Sequence, residues 1–297
     1  MAETAINHFG ISGGKDSTAL LLWALYESGY PPDTLWASFA NTMNEHDWTY
    51  DYVRMLSEKY FKPVTGRHIE WIQPPLGFVD LAMKKRRFPA RKSRFCTQLL
   101  KMKPTQAYLY ALMDQLGGVP LLHSGVRAAE SAERAKLEPR GFNDYMALPV
   151  YRPLLNWTID DVWAIHKRYG VKPNPLYAMG ARRVGCFPCI NSCKAEIRMI
   201  ATKFPERIAQ IRQIEQNFQK SRNKISTFFA RKTVPLHLRS KEITTADGRT
   251  MKVCTIDDVV EWSKTARGGR QYELLFDEVD FSDDDFAACP NTFGVCE

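Results

Sequence analysis

The segment Ser12-Gly13-Gly14-Lys15-Asp16-Ser17 constrains this chain more than any other part of its sequence. It lies between a short apolar run, residues 6–11, and a helix-like stretch, residues 18–30. Two adjacent glycines let the backbone approach an anion without a Cβ in the way, and the amides of a helix N-terminus point at the same place. The segment therefore predicts a phosphate-binding loop at a strand-to-helix turn.

The side chains of this loop support the same prediction. Lys15 adds a positive charge, and Ser12 and Ser17 add hydroxyl donors. The spacing is not that of the Walker A loop, which places four residues between its first glycine and Gly-Lys-Ser/Thr, nor that of the dinucleotide loop with its three spaced glycines. A simple surface turn is the alternative interpretation, and the flanking strand and helix patterns disfavour it.

Composition narrows the class of protein. The chain has 297 residues, of which 44% are hydrophobic, enough for a sizeable core. No apolar run approaches the ~20 residues that span a bilayer, and residues 1–4 lack a signal-peptide pattern, so we expect a cytosolic location. Seven cysteines argue against a disulfide framework and for thiol or metal chemistry, and a formal charge of +8 favours a polyanionic partner.

Apolar runs alternate with helical patterns along the first half of the chain. Residues 34–40 predict a strand, 48–60 a helix, 63–72 a third strand and 119–124 a further strand. This alternation predicts an α/β fold with a doubly wound, mainly parallel sheet. Ligands gather at the carboxyl ends of such strands, so we expect Ser12, Asn41 and Gly125 to face one crevice.

The pattern changes towards the C-terminus. Thr158 and Asp161 predict the capping box of one helix, and residues 206–220 predict the last helix of the main domain. Beyond it, an Asp-Gly pair at 247–248 predicts a hairpin, residues 257–265 a short helix and residues 277–285 an acidic tail. We expect a main domain over residues 1–215 and a small α+β appendage over residues 216–297.

Four cysteines have the spacing of an inorganic site. Cys186 and Cys189 form a C-x-x-C pair, Cys193 follows four residues later, and Cys96 lies ninety residues upstream. Four thiolates suit structural zinc and a [4Fe-4S] cluster alike, so the spacing leaves the metal open. A redox pair and buried, hydrophobic cysteines are the alternative interpretations.

Several segments, taken in order, resemble the phosphoadenosine phosphosulfate reductase-like branch of the PP-loop ATP pyrophosphatases, and within it the iron-sulfur enzymes of DNA phosphorothioation. The likeness covers residues 6–215 and 262–275. Besides the loop it rests on Asn41-Thr42 with Glu45, Arg94-Phe95-Cys96 with Leu100-Lys101, Gly125-Val126-Arg127 with Glu130-Ser131 and Arg134, Pro153-Leu154-Leu155-Asn156-Trp157-Thr158, Asn174-Pro175-Leu176-Tyr177, and Arg183-Val184-Gly185-Cys186. The family often has Asp-Thr-Gly where this chain has Asn41-Thr42-Met43.

The resemblance implies an adenine nucleotide α-hydrolase-like fold and cleavage of ATP, with Mg²⁺, to AMP and pyrophosphate, which activates a substrate for sulfur transfer. The implied catalytic residues are Lys15, Asp16, Ser17, Arg127 and Arg134, and the implied nucleotide-binding residues are Ser12, Gly13, Gly14, Asn41, Thr42, Gly125 and Glu130 beside the rest of the loop. Lys15 and the loop amides would stabilise pyrophosphate, and Asp16 would order the metal or its waters. Both arginines would clamp phosphates, with surface ion pairs as their alternative role.

The same resemblance implies a [4Fe-4S] cluster on Cys96, Cys186, Cys189 and Cys193, with zinc as the alternative, and sulfur supplied by a cysteine desulfurase or another donor. Some thiolating relatives use three ligands, which leaves open that one of the four is catalytic. The sulfur acceptor is also open between a DNA backbone, a tRNA base and a small sulfonucleotide.

Residues 84–103 contain nine Lys or Arg and no acidic residue, which favours DNA or RNA as a partner. The candidate contacts are Lys84, Lys85, Arg86, Arg87, Arg91, Lys92 and Arg94. Phe88 and Phe95 interleave with these charges and predict stacking on bases. A solvated basic face and a loop that serves ATP alone are the alternatives.

Two sequence differences from related enzymes rank the remaining functional hypotheses. True sulfonucleotide reductases have a degenerate loop and a C-terminal Glu-Cys-Gly-Ile/Leu-His nucleophile, whereas this chain keeps the loop and ends Gly294-Val295-Cys296-Glu297. Reduction of phosphosulfate is therefore the second hypothesis. An ATP sulfurylase-like adenylyltransferase, for which the cysteines are surplus, and a non-enzymatic nucleic-acid-binding module with structural zinc rank third.

Overall fold

The computed structural model describes residues 5–90, 93–222, 226–229, 234–244 and 248–266. Its strands are β1 (Ile6–Gly10), β2 (Leu35–Ala40), β3 (Glu70–Ile72), β4 (Pro120–His123), β5 (Arg140–Asn143), β6 (Leu148–Tyr151), β7 (Lys241–Thr244) and β8 (Thr250–Val253). Its α-helices are α1 (Lys15–Tyr26), α2 (Asp47–Leu56), α3 (Lys62–Thr65), α4 (Phe78–Lys85), α5 (Lys103–Leu116), α6 (Ile159–Arg168), α7 (Lys194–Lys203), α8 (Pro205–Arg222) and α9 (Ile256–Lys264).

Six strands form one sheet in the order β3-β2-β1-β4-β6-β5. Every neighbouring pair is parallel except β5 and β6, which are antiparallel. The strand order runs outward from β1 in both directions, so the chain reverses its winding between β3 and β4. The predicted doubly wound, mainly parallel sheet is confirmed, and its reversal point lies where β1 and β4 end.

Helices cover both faces of this sheet, because alternate side chains of a buried strand point to opposite faces. Phe9 of β1 packs on one face in a core formed with α1, α2 and α6. Leu122 of β4, which pairs with His8 of the neighbouring strand β1, packs on the other face in a core formed with α5 and β6. The strands are therefore held from both sides, and their carboxyl ends are left for a site.

The prediction of a strand over residues 63–72 is wrong in most of its length. Residues 57–61 form a π-helical turn that joins α2 to α3, and only Glu70–Ile72 is a strand. Pro63 is the second residue of α3, which follows the π-helical turn without a break, and Gly66 ends that helix with φ +71°. The helix therefore continues past the predicted end at residue 60.

Two local predictions are confirmed at the level of single hydrogen bonds and strands. The Thr158 hydroxyl accepts from the Asp161 amide at 3.1 Å, and an Asp161 carboxylate oxygen accepts from the Thr158 amide at 2.8 Å. β7 and β8 pair antiparallel on either side of the Asp-Gly turn, of which Asp247 lies outside the described residues. The acidic segment 277–285 also lies outside them.

Contacts within the chain divide it into two compact units. Unit 1 holds the described residues of 5–78 and 95–187, including the six-stranded sheet, and unit 2 holds those of 79–94 and 188–266. The division into domains at residue 215 stays a prediction. In the part of the chain that the structure describes, no helix has the length and apolar character needed to cross a membrane.

Candidate active site

The predicted phosphate loop connects β1 to α1 in unit 1. α1 begins at Lys15, with Gly14 as its N-cap, so the first amides of the helix belong to the loop itself. The hydroxyls of Ser12 and Ser17 lie 3.0 Å apart and close the loop across its base, and the Gly14 amide donates to the Ser12 hydroxyl at 3.2 Å. The strand-loop-helix geometry predicted from the sequence is confirmed.

Position 13 requires glycine because of its backbone conformation and because of the atoms packed around it. Its φ is +79°, in the left-handed region that favours glycine. A Cβ at this position would lie 2.9 Å from Cγ2 of Thr49 and 3.3 Å from Cγ2 of Val53, both on α2. The loop is therefore pressed against α2, which leaves no room for a side chain.

A buried charge cluster lies at the start of α1. Asp16 is 1% exposed; one carboxylate oxygen lies 2.8 Å from Nζ of Lys15, and the other accepts from Nε of Arg127 at 2.6 Å. Two cations around one carboxylate leave a net positive charge beside the helix N-terminus, which itself favours anions. The arrangement suits a phosphate group. Among the described residues, the Asp16 oxygen that lies beside Lys15 is buried and has no hydrogen-bond partner.

The segment after β4 supplies this arginine. The carboxylate of Glu130 accepts from the Arg127 amide at 3.0 Å and pairs with the guanidinium of Arg134. Arg127 and Arg134 are both buried, so neither is the surface ion pair that the sequence left as an alternative. The structure brings Arg127 to the phosphate loop and Arg134 to Glu130.

A cavity of about 690 Å³ opens at the carboxyl ends of the central strands. Ser12, Ala40, Glu45, Lys101 and Ser124 are among its lining residues. Of the three residues predicted to face one crevice, Ser12 lines this cavity, whereas Asn41 and Gly125 directly follow its lining residues Ala40 and Ser124 in the sequence.

Two histidines lie in the wall of this cavity and carry no charge at neutral pH. Burial, and secondly the neighbouring His123, lower the pKa of His8 to about 3. Burial also lowers the pKa of His123 to about 4. His8 shares a hydrogen bond of 2.8 Å with the hydroxyl of Ser38. The cavity wall therefore offers neutral hydrogen-bonding groups, and its positive charge comes from other residues.

The predicted nucleotide-binding pair Asn41 and Thr42 belongs to a local network around Glu45. Glu45 is 3% exposed and accepts from the Thr42 amide at 3.1 Å and the Thr42 hydroxyl at 2.6 Å. The hydroxyl of Tyr50 donates to Asn41 at 3.2 Å, and burial raises the pKa of this tyrosine. Cys186 donates from Sγ to the Glu45 carboxylate at 3.6 Å. The network places Cys186 beside the segment that follows β2.

Three residues that the sequence analysis gave no role support the loop from outside. The hydroxyl of Tyr177 accepts from the Lys15 amide at 2.9 Å, and Nε2 of His166 donates to the Lys15 carbonyl at 2.8 Å. Nδ2 of Asn174 donates to the Gly13 carbonyl at 3.4 Å. The Asn-Pro pair at 174–175 is a sequence signal for a turn, but nothing local to it points to a loop 160 residues away.

The four predicted cysteine ligands are each partly exposed. Cys96 and Cys186 belong to unit 1, whereas Cys189 and Cys193 belong to unit 2, where Cys193 is the N-cap of α7. Among the residues that the structure describes, no group of three or more His, Cys, Asp or Glu is placed to hold a metal ion. The cluster and its zinc alternative therefore stay predictions.

The basic stretch is exposed where it is described. Lys84, Lys85, Arg86 and Arg87 lie at and just beyond the end of α4 and are all exposed, Arg94 is partly exposed, and Arg91 and Lys92 lie outside the described residues. The prediction that Phe88 and Phe95 stack on bases is wrong, because both are buried. Phe88 is 1% exposed and meets the rings of Phe218 and Phe228 at centroid distances of 5.0 Å.

Comparison with known proteins gives one family and several relatives. Residues 7–192 match the family described as the phosphoadenosine phosphosulfate reductase domain. An uncharacterised 37.8 kDa protein of Escherichia phage 186 is 34% identical over 340 aligned positions, covering 100% of this chain and 98% of that protein. An adenosine 5'-phosphosulfate reductase of Burkholderia cepacia is 29% identical over 182 positions, covering 59% of this chain and 66% of the reductase. A solved phosphoadenylyl-sulfate reductase from Candida auris, in its phosphate complex, is 20% identical with a TM-score of 0.44, covering 62% of this chain and 82% of that one.

Proposed function

Because this chain belongs to the phosphoadenosine phosphosulfate reductase domain family, whose members act on nucleotides, we propose that it is an ATP pyrophosphatase. In this proposal it cleaves ATP between the α and β phosphates and transfers AMP to a substrate in the cytosol, which activates that substrate for sulfur transfer. The sulfur comes from a cysteine desulfurase or another donor.

The observation that carries this proposal is the loop with its charge cluster. Gly13 and Gly14 place backbone without a Cβ at the N-terminus of α1, and Lys15 and Arg127 flank the same point. Cleavage of a nucleoside triphosphate is favoured by hydrogen-bond donors and positive charge at this place, because the leaving pyrophosphate gains negative charge during the reaction. The adjoining cavity lies at the strand ends and shares Ser12 with the loop.

Each charged residue has a distinct part in the proposed reaction. A substrate oxygen attacks the α phosphorus, and Lys15 stabilises the pyrophosphate as its bond to that phosphorus breaks. One oxygen of Asp16 accepts from Arg127 and holds that side chain in place. The other oxygen, which is buried without a hydrogen-bond partner, would order the Mg²⁺ of MgATP or its waters.

The products of ATP test this proposal directly. We expect purified protein incubated with MgATP, a competent acceptor and a sulfur donor to release AMP and pyrophosphate in equal amounts, measured by ion-pair chromatography. ADP with inorganic phosphate as the nucleotide products contradicts the proposal. A parallel incubation with phosphoadenosine phosphosulfate or adenosine 5'-phosphosulfate and a thiol reductant tests the second hypothesis, reduction of a sulfonucleotide, whose product is sulfite.

We include in the proposal a [4Fe-4S] cluster bound by Cys96, Cys186, Cys189 and Cys193, on the basis of their spacing in the sequence. Protein prepared without oxygen is expected to be brown and to contain about four irons per chain. Cys186→Ser or Cys189→Ser should abolish the colour, whereas Cys254→Ser, at a buried cysteine outside this set, should keep it. Stoichiometric zinc without iron contradicts the cluster.

A nucleic acid is the acceptor that we propose, and the exposed basic stretch supports it. If Arg86 and Arg87 contact a polyanion, the logarithm of affinity falls linearly with the logarithm of salt concentration, and replacing both by alanine flattens that slope by about 1–2 units. Filter binding of DNA and RNA over a salt series measures this. Lys167→Ala with Lys172→Ala, two exposed lysines of unit 1, is the control with the same change of charge. A slope identical in both double variants contradicts the proposal.

A further inference from the structure

The hydroxyl of Tyr177 lies beside the predicted phosphate loop. It accepts from the Lys15 amide at 2.9 Å, and Lys15 is the first residue of α1. The first amides of a helix have no carbonyl partner within the helix and are the donors that bind anions at helix N-termini. A side-chain oxygen on one of these amides therefore borders the place where a phosphate group binds.

The ring of Tyr177 is held in this position by its own segment. It belongs to the short helix Pro175–Met179, and its ring meets Trp163 edge to face at a centroid distance of 5.8 Å. Leu176 beside it is fully buried, and Asn174 ties the start of the segment to the Gly13 carbonyl. The segment is therefore tied to the loop at two points, through Asn174 and through the Tyr177 hydroxyl. Moving the hydroxyl away would disturb these contacts.

The phenol hydroxyl of Tyr177 can accept one hydrogen bond and donate another. A hydroxyl that accepts from an amide still carries its own proton, and the amide makes that proton a better donor. The ammonium of Lys15 lies 5.9 Å from the centre of the same ring, so the cation and the phenol are neighbours. An anionic phosphate oxygen is a stronger acceptor than any neutral group.

We propose that Tyr177 is a phosphate-binding residue whose hydroxyl donates to a non-bridging oxygen of the β or γ phosphate of ATP, with the Lys15 amide orienting that hydroxyl. This inference rests on the proposed binding of ATP at the loop. The opposite arrangement is a competitor, in which Tyr177 occupies the Lys15 amide only until phosphate displaces it. The two arrangements predict changes of affinity in opposite directions when the hydroxyl is removed.

The test is calorimetric titration of wild type and Tyr177→Phe with pyrophosphate and with adenosine. We expect the variant to bind pyrophosphate about tenfold more weakly, the effect of losing one hydrogen bond to a charged group, and to bind adenosine as wild type does. Tyr169→Phe is the matched control, because it removes a hydroxyl that donates to Glu27 and not to the loop.

The outcomes separate this inference from the proposed function. Unchanged or tighter binding of pyrophosphate by Tyr177→Phe overturns the role of Tyr177 while the proposed function stands, and tighter binding identifies the competitor. An equal loss for adenosine and pyrophosphate also overturns it, because the effect is then not specific to phosphate. A wild-type protein that binds neither pyrophosphate nor MgATP overturns both.

Discussion

Lys15→Ala is expected to lower the rate of AMP and pyrophosphate formation by about 10²-fold or more, the effect of losing one charge contact made to the leaving group in the transition state. The folded structure should survive, because Arg127 still neutralises Asp16 when Lys15 is gone. Steady-state assays of pyrophosphate release, with thermal unfolding on the same samples, measure both effects.

Two further variants make the result specific to Lys15. Lys15→Arg keeps the positive charge and is expected to retain part of the activity, although its planar group matches the site less well. Lys167→Ala removes a positive charge from an exposed position on α6 and should leave the rate unchanged. Equal losses in Lys15→Ala and Lys167→Ala would mean that overall charge, and not a contact at the loop, sets the rate.

Gly13→Ala is expected to lower the free energy of unfolding by about 2–5 kcal/mol and to abolish measurable binding of ATP. A left-handed backbone costs an L residue about 1–2 kcal/mol, and an extra methyl group in a packed site adds about 1–3 kcal/mol. The added Cβ would lie 2.9 Å from Cγ2 of Thr49, so the loop must move off α2. Chemical denaturation and titration with MgATP measure the two losses.

Two variants separate the clash from the backbone strain. Gly66→Ala is the matched control, because Gly66 also has a positive φ, +71°, but no atom lies within 4 Å of its added Cβ. It should lose only the backbone contribution of about 1–2 kcal/mol and keep ATP binding. Gly13→Ala combined with Thr49→Ser, which deletes Cγ2, should recover part of the loss. Identical destabilisation by Gly13→Ala and Gly66→Ala would contradict a loop pressed against α2.

Sequence patterns formed by residues close together in the chain correctly predicted local structure. The capping box joins Thr158 to Asp161, three positions later, and the phosphate loop needs only a strand, two glycines and a helix start. The strand predicted over residues 63–72 was wrong over most of its length, because the helical backbone continues through Pro63 up to Gly66. Phe88 was predicted on the surface because of its basic neighbours, whereas packing against Phe218 and Phe228 places it in the core of unit 2.

Sequence by itself determined the alternation of strands and helices, the loop at residues 12–17 and the edge of the sheet where a site lies, because each follows from local hydrophobic periodicity and backbone preference. Only the tertiary structure decided which side chains meet that loop. Arg127 pairs with Asp16 across 111 positions of sequence, and Tyr177 reaches the Lys15 amide across 162. Such contacts depend on the order of strands in the sheet and on the packing of α6 and the following turn, and no local pattern encodes either one.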